Sequence, residues 1–336
     1  MSSAPLHASG STPRVHATRW RDTFMANGSV VSIALFLFVV CLIFSITTDA
    51  FLTTSNLLNI VRQSAPLLIV AAAMTFVITT GGIDLSVGSV LALTATLSAA
   101  LMQLGLPWPL VIIAMLLLGG LVGALQGYFI AYEGIPAFIV TLAGLSVIRG
   151  VALLITGGYS IPVDPASPFV DIGRAWMLGV PMPAWLALAI LLVSWLSYNQ
   201  TTFGRYVTGV GANIEAVRRA GVNTRSVMLS VYVLASVAAS VAGIITAARL
   251  GSGSSNAGQG FELEVIAAVV LGGTSLFGGR GSIIGTVLGA LTVAVIGNGL
   301  ILAHLSPFLT PIVTGAIILI AIWLNFRIFR GAVRSR

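Results

Sequence analysis

The sequence contains no lysine: each of its 16 basic residues is an arginine. A phosphate-binding loop of the GxxxxGK[ST] type sets a lysine on the β/γ-phosphates, and Schiff-base chemistry needs an amine, so neither is open to this chain. Cysteine is reduced to Cys41, inside an apolar run, which excludes a disulfide framework and a CxxC metal site. Histidine occurs at positions 7, 16 and 304, with no HExxH or GxSxG pattern, so a membrane hydrolase would lack its catalytic groups. Charge itself is scarce. Charged residues make up 7% of the chain and hydrophobic residues 57%, against about 25% and about 45–50% in soluble domains. An ordinary soluble domain is excluded.

What the sequence has instead is a series of apolar runs of roughly the 20 residues that cross a hydrocarbon core as a helix. Runs at 29–48, 65–80, 85–104, 108–130, 137–156, 183–198, 228–247, 263–276, 283–302 and 311–326 predict an all-α, polytopic membrane protein of about ten transmembrane helices. The first run is longer than a signal-peptide core and no small-residue cleavage pattern follows it, so it reads as a retained span. The net charge of +7 is not a nucleic-acid footprint, because the arginines form no stripe and fall between apolar runs. Cytoplasmic loops retain basic residues. With the N-terminus inside, 12 arginines fall on the cytoplasmic side, and Arg62, Arg149, Arg174 and Arg249 lie on or towards the other. Both termini are therefore expected in the cytoplasm. The organisation expected is a basic N-terminal tail at 1–28, a transmembrane domain at 29–326 and a basic C-terminal tail at 327–336. Within the domain, the largest cytoplasmic loop is at about 199–227 and the largest external one at about 157–182.

Glycine is placed with a period of four in two runs, at Gly119, Gly123 and Gly127 and at Gly281, Gly285 and Gly289, which puts each trio on one helix face where two backbones can approach closely. Packing within one subunit and contact between subunits both fit that pattern. Gly81-Gly82-x-x-Leu85-x-x-Gly88 recurs as Gly272-Gly273-x-x-Leu276-x-x-Gly279, which would fit an internal duplication or chance in a glycine-rich chain.

Four segments in order, GGIDLSVGS at 81–89, IPAFIVTLAGLSVIRG at 135–150, FGRYVTGVGANIEAVRRAGV at 203–222 and FELEVIAAVVLGGTSLFGGRGSIIGT at 261–286, resemble the ribose-type permeases of the ATP-binding-cassette sugar importers. The likeness runs over roughly residues 50–326. One departure is Gln126-Gly127, where that family often has Asn-Gly; since both are amides, little functional change is expected. The resemblance implies a multi-pass permease of the bacterial inner membrane, with no catalysis and no cofactor of its own, ATP being bound by a partner subunit. Its expected partners are a cytoplasmic ATPase, a periplasmic sugar-binding protein and a second permease copy. The missing lysine agrees: a pump without a phosphate loop must borrow its ATPase. An ion-coupled secondary transporter is the rival from another class, and would keep ionisable residues inside the bundle. A permease of the same kind for a non-sugar polar solute is another.

The candidates for the substrate path are Asp84, Ser86, Phe138, Thr141, Arg149, Glu262, Glu264, Thr274 and Ser275. Asp84 follows a glycine pair that can end one helix and precedes residues that can begin the next, so it reads either as a helix cap or as part of a polar break beside the path. Arg149 lies within a span, where a charge costs about 2.5–3.5 kcal/mol on insertion scales; it should either pair with Glu262 or Glu264 or reach to the external interface. Phe138, Trp108, Trp185, Trp195 and Phe308, near span ends, suit interfacial anchors. The external stretch from Tyr159 to Pro181, with Asp164, Phe169, Asp171 and Trp176, is long enough to receive a binding protein. Residues 212–221 are expected to form the cytoplasmic helix through which the ATPase drives the subunit. Asn213 suits its N-cap, Glu215 its first turn, Arg218 and Arg219 its last, and Gly221 its stop, while Ile214 and Val217 form a short apolar face and Arg205 lies just upstream.

Overall fold

The computed structural model describes residues 28–306 together with positions 309, 312, 313, 315, 316 and 319. The two terminal tails read from the sequence, except for Gly28, together with Phe308 and most of the run at 311–326 lie outside the described residues. The helices are α1 (Gly28–Thr47), α2 (Thr54–Thr79), α3 (Val87–Gln103), α4 (Trp108–Ala131), α5 (Ala137–Thr156), the short α6 (Asp171–Arg174), α7 (Met182–Gln200), α8 (Thr202–Arg219), α9 (Thr224–Leu250), α10 (Phe261–Leu271) and α11 (Ile283–Leu302). A 3-10 turn (Pro168–Val170) and four two-residue strands complete the described elements: β1 (Ile161–Pro162) pairs with β4 (Ser252–Gly253), and β2 (Trp176–Met177) with β3 (Val180–Pro181), both antiparallel.

Among the described residues seven helices, α1, α2, α4, α5, α7, α9 and α11, are long and apolar enough to cross a membrane, and α3 is a shorter apolar helix. The run at 263–276 does not make a full span. Its helix α10 has 11 residues, about 16 Å at 1.5 Å per residue and about half of a hydrocarbon core. Glycine 272 and 273 stop it. In the other direction, α2 begins at Thr54, well before the predicted 65, with Thr53 accepting from the Asn56 N–H. The polar residues Asn56, Asn59, Arg62 and Gln63 conceal that first stretch in the sequence. Asn56 is buried because its amide exchanges two hydrogen bonds with Asn298 of α11, at 3.1 and 2.9 Å.

The core lies along α2 and α9. Every residue from Ser64 to Thr79 is buried, as befits a helix that is apolar on all sides. In α9 small residues, Ala235, Ser236, Ala239, Ser240, Ala242 and Gly243, are buried. Against them lies the first glycine trio: a Cβ at Gly123 would stand 2.6 Å from the Tyr232 carbonyl oxygen and the Val233 Cα, one at Gly119 would stand 2.8 Å from the Ser236 carbonyl, and one at Gly127 would stand 3.0 Å from the Leu229 Cα. In the second trio, Gly285 and Gly289 meet the carbonyls of Gly272 and Ala268 of the α10 segment, and Gly281 meets the Thr79 and Tyr198 hydroxyls. Both faces are spent on packing within the subunit.

The glycine-pair repeat has a local cause. Gly81 and Gly273 both have positive φ (84° and 90°). In each case the glycine N–H bonds three residues back, to Ile78 or Val270, and the next N–H bonds five back, to Val77 or Val269. This is the same Schellman stop. It aligns Gly81 with Gly273, one position away from the sequence match of Gly81 with Gly272, so the repeat reflects shared helix-ending chemistry out of register.

The α4–α9 contact predicts that Gly123→Leu lowers the melting temperature of the detergent-purified protein, because backbone atoms cannot yield to the new side chain and overpacking costs about 1–3 kcal/mol or more. Gly150→Leu, where nothing lies within 4 Å, should leave it unchanged. Equal melting of Gly123→Leu and the wild type would refute the close approach.

Candidate functional site

Between α2 and α3 the chain runs without helix from Gly81 to Ser86. Asp84 is fully buried there, and its Oδ1 accepts from both the Ser86 N–H (2.8 Å) and the Ser86 hydroxyl (2.7 Å). Ser86 already has helical backbone angles and its carbonyl accepts from Val90, so Asp84 caps the first turn of α3 two residues ahead. The Ser86 hydroxyl in turn accepts from the Gln126 amide of α4 at 3.0 Å. From α5, the buried Thr141 hydroxyl lies within reach of the carbonyls of Ile83 (3.2 Å) and Ala137 (2.9 Å). Three helices thus converge on one break and bring Asp84, Ser86 and Thr141 together.

Tyr232 of α9 belongs to the same place and was not singled out in the sequence. A side chain at Gly82 would run into its phenol oxygen, so the ring covers the glycine pair. The signal was a tyrosine inside an apolar span followed by Ser236 and Ser240 at helical spacing. The Asp84 Oδ2, the Tyr232 hydroxyl and the Ser236 hydroxyl are buried without a hydrogen-bond partner.

A second polar cluster lies beyond Gly88. Arg149 reaches from α5 to the segment before α10, donating to the carbonyls of Ser255 (2.6 Å), Ala257 (2.7 Å) and Gly258 (3.2 Å). The expected ion pair is therefore replaced by backbone. Among the described residues the salt bridge within range is Glu215–Arg218. Glu262 and Glu264, two apart on a helix, cannot share a face. The Glu262 carboxylate lies over Gly88 with Oε2 buried and unpartnered, whereas Glu264 is exposed. Phe138 is 55% exposed on α5. Thr274 and Ser275 support their own loop: the Thr274 hydroxyl accepts from the Ser282 N–H (3.4 Å) and the Ser275 hydroxyl from the Phe277 N–H (3.3 Å). Phe169, in the stretch expected to be external, is fully buried and so cannot face a partner.

The segment 212–221 is the second half of α8. Asn213 has non-helical angles (φ −162°, ψ 95°) that break α8, and its Oδ1 accepts from the Ala216 N–H at 3.0 Å. Glu215 pairs with Arg218 at 2.7 Å, Arg205, Arg218 and Arg219 are exposed, and Gly221 (φ 84°) ends the turn. Of the expected apolar face, Ile214 is exposed, but Val217 is half-buried and packs towards the core against Gly209. The break at Asn213 rests directly on the first site's supports. A Cβ at Gly211 would strike the Thr79 carbonyl at the end of α2, and one at Gly279 would stand 3.0 Å from the Ala212 Cα.

Compared with known proteins, the chain matches the family described as branched-chain amino acid transport system / permease component over residues 56–322. It is 41% identical over 289 residues to the ribose import permease protein RbsC of Escherichia coli K12, covering 85% of this chain and 90% of that one. Against the ribose import permease protein RbsC of Bacillus subtilis it is 40% identical over 290 residues, covering 86% and 90%. Against the xylose transport system permease protein XylH of Escherichia coli K12 it is 35% identical over 366 residues, covering 90% and 91%. No solved structure matches the chain.

Two outcomes follow from the site. Asp84→Ala should lower the folded yield, through a loss of about 0.5–2 kcal/mol with the cap, and Asp84→Asn, which keeps Oδ1, should restore most of it; full yield of the alanine variant in a size-exclusion assay, with transport abolished, would move Asp84 from cap to path. Arg149→Met should speed amide hydrogen exchange across 254–259, while Glu262→Gln leaves it slow. Equal loosening by the two variants would show that a carboxylate, and not the carbonyls, holds Arg149.

Proposed function

The chain belongs to the family of branched-chain amino acid transport system / permease components, and on that premise we propose that it is the membrane-spanning subunit of an ATP-driven importer for a monosaccharide. The observation that carries the sugar reading is the identity of 35–41% with ribose and xylose permeases over about nine-tenths of their lengths. The chain is a multi-pass membrane protein and, in this reading, lies in the bacterial inner membrane with both termini in the cytoplasm. Hydrolysis falls to a partner ATPase, since the sequence has no lysine for a phosphate loop. A solute-binding protein on the outer side and a second permease copy complete the assembly.

In this reading the second half of α8 takes the ATPase stroke. Its exposed arginines and Ile214 offer charge and a small apolar contact. Gly211, Gly278 and Gly279 set the kink against the Thr79 carbonyl and Gly81, with no side chain between. A shift of α8 therefore meets the end of α2 directly, at Thr79, five residues before Asp84. The break itself offers unpaired polar groups to a hydroxyl-rich solute when the helices part.

Reconstitution with the cognate ATPase and binding protein, followed by uptake of labelled ribose and xylose, tests the reading. ATP-dependent uptake of a pentose supports it; uptake driven by an ion gradient without ATP would replace it with a secondary transporter. In the same system, charge reversal by Arg218→Glu with Arg219→Glu should reduce ATPase co-purification and uptake at least tenfold, while membrane insertion stays intact. Unchanged co-purification and uptake would remove α8 from the coupling role.

A further inference from the structure

Between α6 and α7 stands a hairpin whose chemistry is wrong for water. Trp176 pairs with Pro181 and Met177 with Val180, and the two-residue loop Leu178-Gly179 has positive φ at both positions, 54° and 75°. That is the signature of a type I′ turn, in which Asn-Gly or Asp-Gly is usual because a positive φ strains larger L-residues. Here the first position is a leucine, 86% exposed, flanked by Trp176 and Met177, 53% and 45% exposed. A disfavoured backbone angle and three exposed apolar side chains are combined at one tip. The turn requires the positive φ, but neither a leucine to adopt it nor apolar side chains around it.

The hairpin is also fixed in place. The Met182 N–H, at the start of α7, bonds to the Ala175 carbonyl at 2.9 Å. The Trp185 indole N–H of the same turn donates to the Met177 carbonyl at 3.1 Å. Helix α7 has 19 residues, about 28 Å, just enough to cross a core of about 30 Å. Its first turn must therefore lie at the hydrocarbon boundary. Trp185 heads a stripe with Leu188 and Leu192, three and seven residues on, both exposed at 56% and 55%, which is the side a membrane-crossing helix turns to lipid. The hairpin is tied to the head of that stripe.

We propose that the hairpin 176–181 is a lipid anchor, with Leu178, Met177 and Trp176 seated in the interfacial layer of the bilayer beside α7. Tryptophan at that depth places its amphipathic ring where headgroups meet acyl chains. Leucine in place of asparagine at the turn then gains an apolar surrounding that offsets its strained angle. The proposal rests on α7 crossing the membrane and is independent of what the protein transports.

The test uses the full-length protein with Cys41→Ala and a nitroxide on Leu178→Cys, in nanodiscs of phosphatidylethanolamine and phosphatidylglycerol. Collision with oxygen and with a soluble nickel chelate is compared with the same label on Ala166→Cys, an exposed residue of the preceding loop. The expected result is a shift at 178 towards oxygen and away from nickel. A label at Met177→Cys reports the same contact if the first variant is poorly recovered. Adding Leu178→Asn, which suits the turn better, should keep the melting temperature but shift the 177 label towards nickel. The proposal is overturned if 178 and 166 are equally open to nickel, or if 178 is shielded from both reagents, as a second copy would shield it. It is likewise overturned if protection appears only on adding the binding protein, or if Leu178→Asn leaves the 177 label in lipid.

Discussion

Backbone that stops being helical at membrane depth leaves N–H and C=O groups that no water can take, so the surrounding protein must supply their partners. The break from Gly81 to Ser86 meets that demand with short side chains from its neighbours. Asp84 takes the Ser86 N–H, Thr141 of α5 approaches the Ile83 carbonyl, and the Gly279 N–H closes on the Thr79 carbonyl at 2.9 Å. Each partner is short, so each neighbouring helix must come close. That closeness is what the glycines of α4 and the small residues of α9 provide. With a methyl group at Gly123 the two helices would be forced apart, and Gln126 of α4 would be drawn away from Ser86.

The same dependence joins the two ends of α2. At its far end the Asn56–Asn298 amide pair holds it to α11, and at its near end the Thr75 hydroxyl meets the Thr286 hydroxyl of α11 at 2.8 Å. From Ser64 onward the helix is buried on all sides. A helix so held moves as a body, and what moves it must act on its ends, where Thr79 touches the kinked helix α8 and the 278–279 turn. The position of Asn213 matters for that reason: its side chain replaces the helical bond that the break removes, so α8 can bend there without leaving a bare N–H at Ala216.

Much of this was legible in the sequence because membrane helices announce themselves by length and composition. The bounds of α4, α5 and α11 fall within a residue of the apolar runs, and the caps of the second half of α8 follow from Asn213, Glu215 and Gly221. What was not legible follows from the same physics. The first part of α2 is hidden because its polar residues find partners only in three dimensions. Helix α10 was read too long because apolar character continues past the glycines that stop it. For Arg149 the readings were a carboxylate partner or the external interface, because sequence shows side chains and not carbonyls, yet a loop of small residues at 255–258 presents three carbonyls to one guanidinium. Tyr232 was passed over because one aromatic in an apolar span carries no signal until Gly82 is found beneath it.

The departure at Gln126 can now be weighed. As one amide for another it looks neutral, but its reach decides the matter. The Gln126 amide lies over Gly144 of α5, where an added Cβ would stand 2.5 Å from its Nε2, and bonds the Ser86 hydroxyl that in turn bonds Asp84. Asparagine is one methylene shorter and, on this backbone, would stop short of Ser86 and leave a gap above Gly144. A chain with asparagine there must bring α3 and α4 closer or fill the space at 144. Glutamine at 126 and glycine at 144 therefore form one unit, set by distance and not by the chemistry of the amide. The outer partner of the Ser86 hydroxyl, beside the α3 cap, depends on both.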